Sequence, residues 1–404
     1  MRIALATVGT TGDVRPFATL AQALVERGHR VTAVTWPVYR MALTQPGVRV
    51  EVAGPHADTA RIDEVAADAA ARKPMEQVAI LRDFHLADGE AHLRRLRELL
   101  PGHDLVLVHG IHALAHAAVL DEGSRWASVV FDPVLIPTDS APPPGLPNLG
   151  PANRVLWAVL DRALARTSRP LDALLARAGS VQRGLPLFRA RSPLLHLVAC
   201  SPSIIRVPPN LPPGTAVTGA WMDRSTPLPL PESVDAFLAD GSAPIVVSFG
   251  SMRGIPDAQL RDAIDRVLRS GRRAVVQGHL AEDLASPGLL RIGPLDHRAL
   301  FPRASVVLHH GGAGTTHAAA AAGVPSVVVP NIGDQRYWAD RLQRLGVAPA
   351  PIELKRLDGL RLADAVLAAA ADGAMHDAAA ALGQRLTAED GVANAVRRIE
   401  RLAA

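Results

Sequence analysis

The chain has 404 residues, 48% of them apolar, which at roughly 150 residues per domain is material for two to three domains with large cores. Lys+Arg 43 against Asp+Glu 39 leaves a net charge of only +4, which excludes the clustered excess charge of a nucleic-acid binder. One cysteine, Cys200, excludes an intrachain disulfide and a thiolate-cluster zinc site; with no apolar run near the roughly 18 residues of a membrane-crossing helix and a strand pattern from the first residues, a soluble cytoplasmic protein is expected.

In chain order, residues 3–9, 30–36, 48–54, 105–109, 129–131 and 197–201 are short β-rich runs. Their continuous apolar character fits parallel strands buried on both faces. Segments 17–27 and 89–100 lie between them with helical periodicity. The proline-dense stretch 133–151 is too long for an ordinary βα connection, so it is expected to line a binding site, the alternative being a structural loop over the sheet. A second such stretch, 208–231, has prolines at 208, 209, 212, 213, 227, 229 and 231 and reads as a stiff linker, since it suits neither helix interior nor central strand. The strand pattern then restarts at 245–249, 274–277, 290–293, 305–309 and 326–330. Strand alternating with helix, twice over, predicts an α/β protein of two Rossmann-like, doubly wound domains. The expected division is 1–207, linker 208–231, 232–390, and a final helical segment 391–404.

Ligands of open α/β sheets sit beyond the carboxyl ends of the strands, which directs attention to four turns. Gly9-Thr10-Thr11-Gly12-Asp13 lets the backbone turn tightly and aims Asp13 at the crevice, or makes Asp13 a helix cap. Ser248-Phe249-Gly250-Ser251 suits an anion nest or an ordinary turn. His309-His310-Gly311-Gly312-Ala313-Gly314-Thr315-Thr316 opens an Ala-rich helix. Its glycines, hydroxyls and helix N-terminus offer N–H groups and a positive dipole end to a phosphate. Strand alternation lets one histidine into the site; His310 is expected there, and His309 as a packed or capping residue. Gly333-Asp334-Gln335 pairs a carboxylate with an amide, fit to grip vicinal sugar hydroxyls or to cap a helix over a core Trp338. His109, His112 and His116 lack a carboxylate or thiolate at useful spacing, so no metal site is expected.

Gly-Thr-Thr-Gly-Asp-Val-Arg-Pro at 9–16, Ser-Phe-Gly-Ser-Met at 248–252, His-His-Gly-Gly-Ala-Gly-Thr at 309–315 and Gly-Val-Pro…Gly-Asp-Gln at 323–335 occur in this order. Together they resemble the motifs of family 1 nucleotide-sugar-dependent glycosyltransferases of the GT-B fold, in the branch of the sterol glucosyltransferases and antibiotic-tailoring enzymes. The resemblance spans nearly the whole chain. It implies two facing Rossmann-like domains, acceptor bound mainly by the first and donor by the second, with the last helix crossing back to the first. By motif match, His310 and the Gly312, Ala313, Gly314, Thr315 turn hold the donor diphosphate with Gly250 and Ser251. Asp334 and Gln335 bind sugar hydroxyls, Leu295 and His297 lie where the base is contacted, and Thr11 and Gly12 contact the donor. Asp13 stands where many relatives have a histidine base. The plant-type His-Cys-Gly-Trp-Asn-Ser loop is absent.

The resemblance thus implies an inverting transfer from a UDP- or dTDP-sugar to a hydroxyl of a hydrophobic small molecule such as a polyketide, sterol or lipid. Asp13 acts as general base, helix N–H groups and His310 stabilise the leaving diphosphate, and no metal or other cofactor is needed. An ordinary carboxylate is a weak base, so Asp13 calls for a neighbour, with His112 a candidate. Two alternatives are a nucleotide-sugar epimerase of the same fold, which has no use for the 133–151 loop, and a silent activator protein, which has no use for Asp13.

Overall fold

The apolar runs become strands of two wholly parallel sheets in a computed structural model that describes residues 1–402 apart from 71, 135, 138–141, 144–145, 147–148, 250–254 and 279–285. The first sheet holds β1 (Arg2–Ala6), β2 (Arg30–Thr35), β3 (Val48–Val52), β4 (Leu105–His109), β5 (Trp126–Val130), β6 (His196–Val198) and β7 (Thr215–Val217), in the order β3-β2-β1-β4-β5-β6-β7. The second holds β8 (Ile245–Ser248), β9 (Ala274–Gln277), β10 (Leu289–Ile292), β11 (Val306–His309) and β12 (Ser326–Val328), in the order β10-β9-β8-β11-β12. In each sheet the direction of strand addition reverses once, between β1 and β4 and between β8 and β11. A crevice opens at the carboxyl ends at such a point.

Two compact units divide the chain. One is Met1–Asp223 together with the segment from Asp390 onward; the other is Arg224–Glu389. In the first unit, alternate residues of each strand serve opposite faces. Ile3, Leu5, Leu105, Leu107 and Val129 pack with Phe17, Leu20 and Leu24 and with Val392, Val396 and Ile399 of the last helix, Gly391–Glu400. Ala4, Ala6, Val106 and Val108 pack on the other side with Leu93, Leu96, Leu114 and Leu171. The second unit repeats the scheme: Ile245, Val247, Val276 and Leu308 meet Leu260, Ile264, Leu362 and Val366, while Val246, Val275 and Val307 meet Leu300, Phe301 and Ala319.

The stretch 208–231 is not a linker throughout. Thr215–Val217 is the edge strand β7, paired parallel to β6 with Ala216 opposite Leu197, and the units divide after Asp223. Prolines flank this strand because a sheet edge does not need every N–H. The helix expected at 17–27 begins earlier and spans Thr11–Glu26, so the glycine turn runs straight into its first turn. Much of the predicted 133–151 binding loop lies outside the described residues. Among the described residues no helix is long and apolar enough to cross a membrane.

Candidate active site

The predicted site residues fall on both units. On the first, β1 ends at Ala6 and the chain turns through Gly9 into the helix Thr11–Glu26. Gly9 has φ +121°, and a Cβ there would lie 2.4 Å from Asp13 Oδ2; only glycine allows both the backbone and the approach. Thr10 and Asp13 form a capping box. The Thr10 N–H and hydroxyl both donate to Asp13 Oδ2, at 2.7 and 2.8 Å. The cap expected of Asp13 is therefore present, and it occupies one carboxylate oxygen only. Thr11 is half-buried and Gly12 exposed beside it.

Asp13 Oδ1 lies 3.8 Å from Nε2 of His109, the last residue of β4. Parallel pairing of β1 with β4 brings the two together. The His109 ring is buried, and its Nδ1 lies 3.1 Å from the Val8 carbonyl. A carbonyl only accepts, so Nδ1 carries the hydrogen and Nε2 presents a lone pair to Asp13. Burial pushes the His109 pKa below the usual imidazole value, against the upward pull of Asp13 and the Val8 bond. Tyr39 is buried nearby; burial first, then the charges of Asp13 and Asp63, hold its phenol well above the usual value. His112 is not the neighbour of Asp13: it caps the helix Ala113–Asp121, accepting from the Ala115 N–H at 3.4 Å, and its ring lies 5.2 Å from that of His92. His116 packs on Trp126. Among the described residues no group of three or more His, Cys, Asp or Glu is placed to hold a metal.

On the second unit, the register sets Ser248 beside Gln277 on one side and His309 on the other, all at strand ends. Gln277 Oε1 accepts from the Ser248 hydroxyl at 2.8 Å and from His297 Nε2 at 2.8 Å, and its amide nitrogen donates to the Leu295 carbonyl at 3.3 Å. The His297 ring stacks on Phe301, 4.2 Å between centroids. Past β11 the chain enters the helix Ala313–Ala321 with Gly312 as its N-cap. His309 is fully buried, with Nδ1 accepting from the Gly311 N–H at 3.0 Å. His310 is buried too, with its Nε2 so close to Gly312 that a Cβ there would lie 2.4 Å away. Its Nδ1 has no hydrogen-bond partner among the described residues, which is a cost unless a ligand or water meets it. Burial, then neighbouring histidines, lowers His309 to about 3 and His310 to about 4. Gly314 faces open space: a Cβ there would meet nothing within 4 Å. Gly250 and Ser251 lie outside the described residues.

The Asp334–Gln335 pair is more embedded than the sequence suggested. Gln335 is buried, and its Oε1 accepts from the Asn331 and Ile332 N–H groups at 2.7 and 3.1 Å. That oxygen fixes the loop that carries Asp334. Asp334 Oδ2 accepts from Nε1 of the core residue Trp338 at 2.5 Å. Sequence reasoning passed over His109 as a partner, Tyr39 and Gln277. His109 and Gln277 are polar residues closing apolar strands, a signal within reach; Tyr39 arrives through tertiary packing and leaves none.

The family described as "Erythromycin biosynthesis protein CIII-like, C-terminal domain" matches residues 274–402. The chain is 33% identical to O-mycaminosyltylonolide 6-deoxyallosyltransferase of Streptomyces fradiae, over 99% of this chain and 97% of that one. The chain belongs to the GT-B glycosyltransferases. In fold, this glycosyltransferase is similar to the solved structure of the glycotransferase of kitacinnamycin, with a TM-score of 0.72 at 22% identity over 99% of this chain and 98% of that one. It is also similar to the glycosyltransferase VinC in complex with dTDP, with a TM-score of 0.65 at 20% identity over 99% and 100% of the two chains.

Proposed function

We propose that this glycosyltransferase moves a sugar, with inversion, from a dTDP- or UDP-sugar to a hydroxyl of a hydrophobic small molecule such as a polyketide, sterol or lipid, without a metal. The observation that carries the reading is Asp13: a carboxylate at the reversal point of the first sheet, clamped through Oδ2 by Thr10 and 27% exposed. A positioned base of this kind contributes roughly 10²–10⁴-fold by taking the hydroxyl proton as the oxygen attacks. Thr11 and Gly12 flank it as backbone contacts for a donor.

The second unit supplies the donor site. The N–H groups at the start of Ala313–Ala321, in the Gly312, Ala313, Gly314, Thr315 turn, meet the diphosphate, and the His310 imidazole, whose Nδ1 has no partner among the described residues, adds a further polar contact. These donors are fixed in advance, which favours the charge that develops on the leaving group. By motif match alone, Gly250 and Ser251 are assigned to the same diphosphate, while Leu295 and the stacked His297 hold the base. Asp334, fixed by Trp338 and Gln335, contacts sugar hydroxyls. The same reading places the enzyme in the cytoplasm, with small molecules as its partners.

The test is transfer from dTDP- and UDP-sugars to a panel of hydrophobic aglycones, with product anomeric configuration read by NMR coupling constants. A product of inverted configuration formed without added metal supports the reading. Retention of configuration, or epimerised donor with no acceptor consumed, overturns it.

A further inference from the structure

We propose that Asp13 and His109 accept the hydroxyl proton as one pair: Asp13 Oδ1 receives it, and His109 Nε2 takes it over. The proposal rests on the transfer reading above and deepens it, making His109 a residue that acts through Asp13.

Asp13 Oδ2 already accepts twice from Thr10, at 2.7 and 2.8 Å. A proton placed there would disrupt the cap. Oδ1 accepts no hydrogen bond among the described residues and faces Nε2 at 3.8 Å. Because the Val8 carbonyl fixes the hydrogen of His109 on Nδ1, two lone-pair atoms face each other at 3.8 Å, beyond hydrogen-bond reach. A proton on either one supplies the missing donor and draws the two side chains together by roughly 0.8 Å. The ring is held in that orientation by Phe17 and Phe131, whose centroids lie 5.7 and 5.1 Å away. Before reaction the pair carries one negative charge; with the proton it is neutral overall, the form that a buried setting favours.

Around the pair, burial holds the His85 and His112 rings below the usual imidazole value, so neither carries charge at neutral pH. On the side of Asp13 stand Tyr39, neutral, and beyond it Asp63, whose negative charge favours a proton on the pair. Burial keeps Nε2 unprotonated at neutral pH, so the pair starts empty. In the step, the acceptor oxygen forms its bond to the anomeric carbon, and the bond from that carbon to the diphosphate oxygen breaks, its electron pair leaving with the nucleotide. The hydroxyl proton passes to Oδ1. Rotation about the Cγ–Oδ1 bond turns it toward Nε2, the two side chains close to hydrogen-bond distance, the proton moves to Nε2, and it returns to solvent after product leaves.

The experiment is 15N-histidine NMR titration of the full chain, with the His109 resonance identified by its loss in His109→Asn. The expected result is an Nδ1-protonated ring above pH 7, whose Nε2 protonates at least one pH unit lower in Asp13→Asn than in wild type. An Nε2-protonated tautomer, or a midpoint that Asp13→Asn does not move, overturns the proposal. A second measurement follows hydrolysis of dTDP-glucose and UDP-glucose, with water as the attacking hydroxyl, from pH 5 to 9. His109→Asn keeps an N–H for the Val8 carbonyl but has nothing in place of Nε2. It should lower the rate at least tenfold and shift the acid limb downward, with dTDP and UDP affinity unchanged. A rate within threefold of wild type and an unmoved limb overturn the proposal. If the NMR coupling is present and no sugar is ever transferred, the transfer reading fails while the proton pair stands.

Discussion

Gly314→Ala separates ligand binding from folding, because the two respond in opposite directions. Gly314 sits in the first turn of Ala313–Ala321, and a Cβ there would meet nothing within 4 Å. In the protein alone the methyl group costs nothing sterically. It removes backbone freedom from the unfolded chain and is worth ~0.4–1 kcal/mol of stability. In a domain of this size that raises the Tm by about 1–4 °C. A helical Cβ tilts toward the helix N-terminus, so the same methyl points into the space assigned to the diphosphate. Loss of one charge-assisted hydrogen bond costs about 1.5–3 kcal/mol, or roughly ten- to a hundredfold in affinity. The assay is a thermal melt without ligand beside calorimetric titration with dTDP and UDP. A variant that melts higher and binds both nucleotides as tightly as wild type would refute the placement of the diphosphate at this helix end.

Other substitutions follow from distances already given. Asp13→Asn should keep the fold and dTDP affinity but lose at least a hundredfold in sugar transfer; activity within threefold of wild type would mean another base operates. Gly9→Ala forces a Cβ to 2.4 Å from Asp13 Oδ2 at φ +121°, so it should lower both Tm and transfer rate, and Gly9→Ala with normal kinetics contradicts the clamp. His310→Ala should weaken dTDP binding, whereas His309→Ala, which loses the Gly311 bond, should act chiefly on the melting temperature; calorimetry on the pair decides. For acid stability, burial lowers His85 to about 4 and His92 to about 3. Between those values and the ordinary 6.5 the unfolded chain binds more protons, so stability should fall as pH drops from about 6.5 toward 4. A Tm that is flat across that range counts against their burial as neutral rings.

Most of the strands were legible because parallel strands covered on both faces leave runs such as Leu105-Val106-Leu107-Val108 with no polar interruption. Thr215–Val217 was not, because three residues among prolines carry no periodicity and a sheet edge accepts what a centre refuses. At the site, the sequence set cap against base for Asp13, whereas the fold commits only one carboxylate oxygen to the cap and leaves the other facing His109. The pairing of Asp13 with His109 spans 96 positions and depends on β1 lying beside β4, a long-range choice that local pattern does not encode. Gln335 shows the reverse difficulty: a polar residue beside Asp334 looks accessible in the sequence, and only the inward turn of its Oε1 onto Asn331 and Ile332 reveals a structural task.

The unit that carries Asp13 is closed by residues from the far end of the chain. Glu400 bonds Arg27 at 3.0 Å, Asn394 Nδ2 donates to the Thr218 carbonyl at 2.8 Å, and Gly391 approaches Gly219 and Ala220 so closely that a Cβ would lie 2.3 Å from the Ala220 carbonyl oxygen. During synthesis the first unit therefore emerges first and is completed last. Until the segment from Asp390 is made, the face of Phe17, Leu20 and Leu24 lacks Val392, Val396 and Ile399 and stays open to water. At about 5–20 residues per second, translating the intervening Arg224–Glu389 unit takes ~10–30 s. For that interval a nascent chain exposes an apolar patch suited to a chaperone or, at high expression, to a second nascent chain.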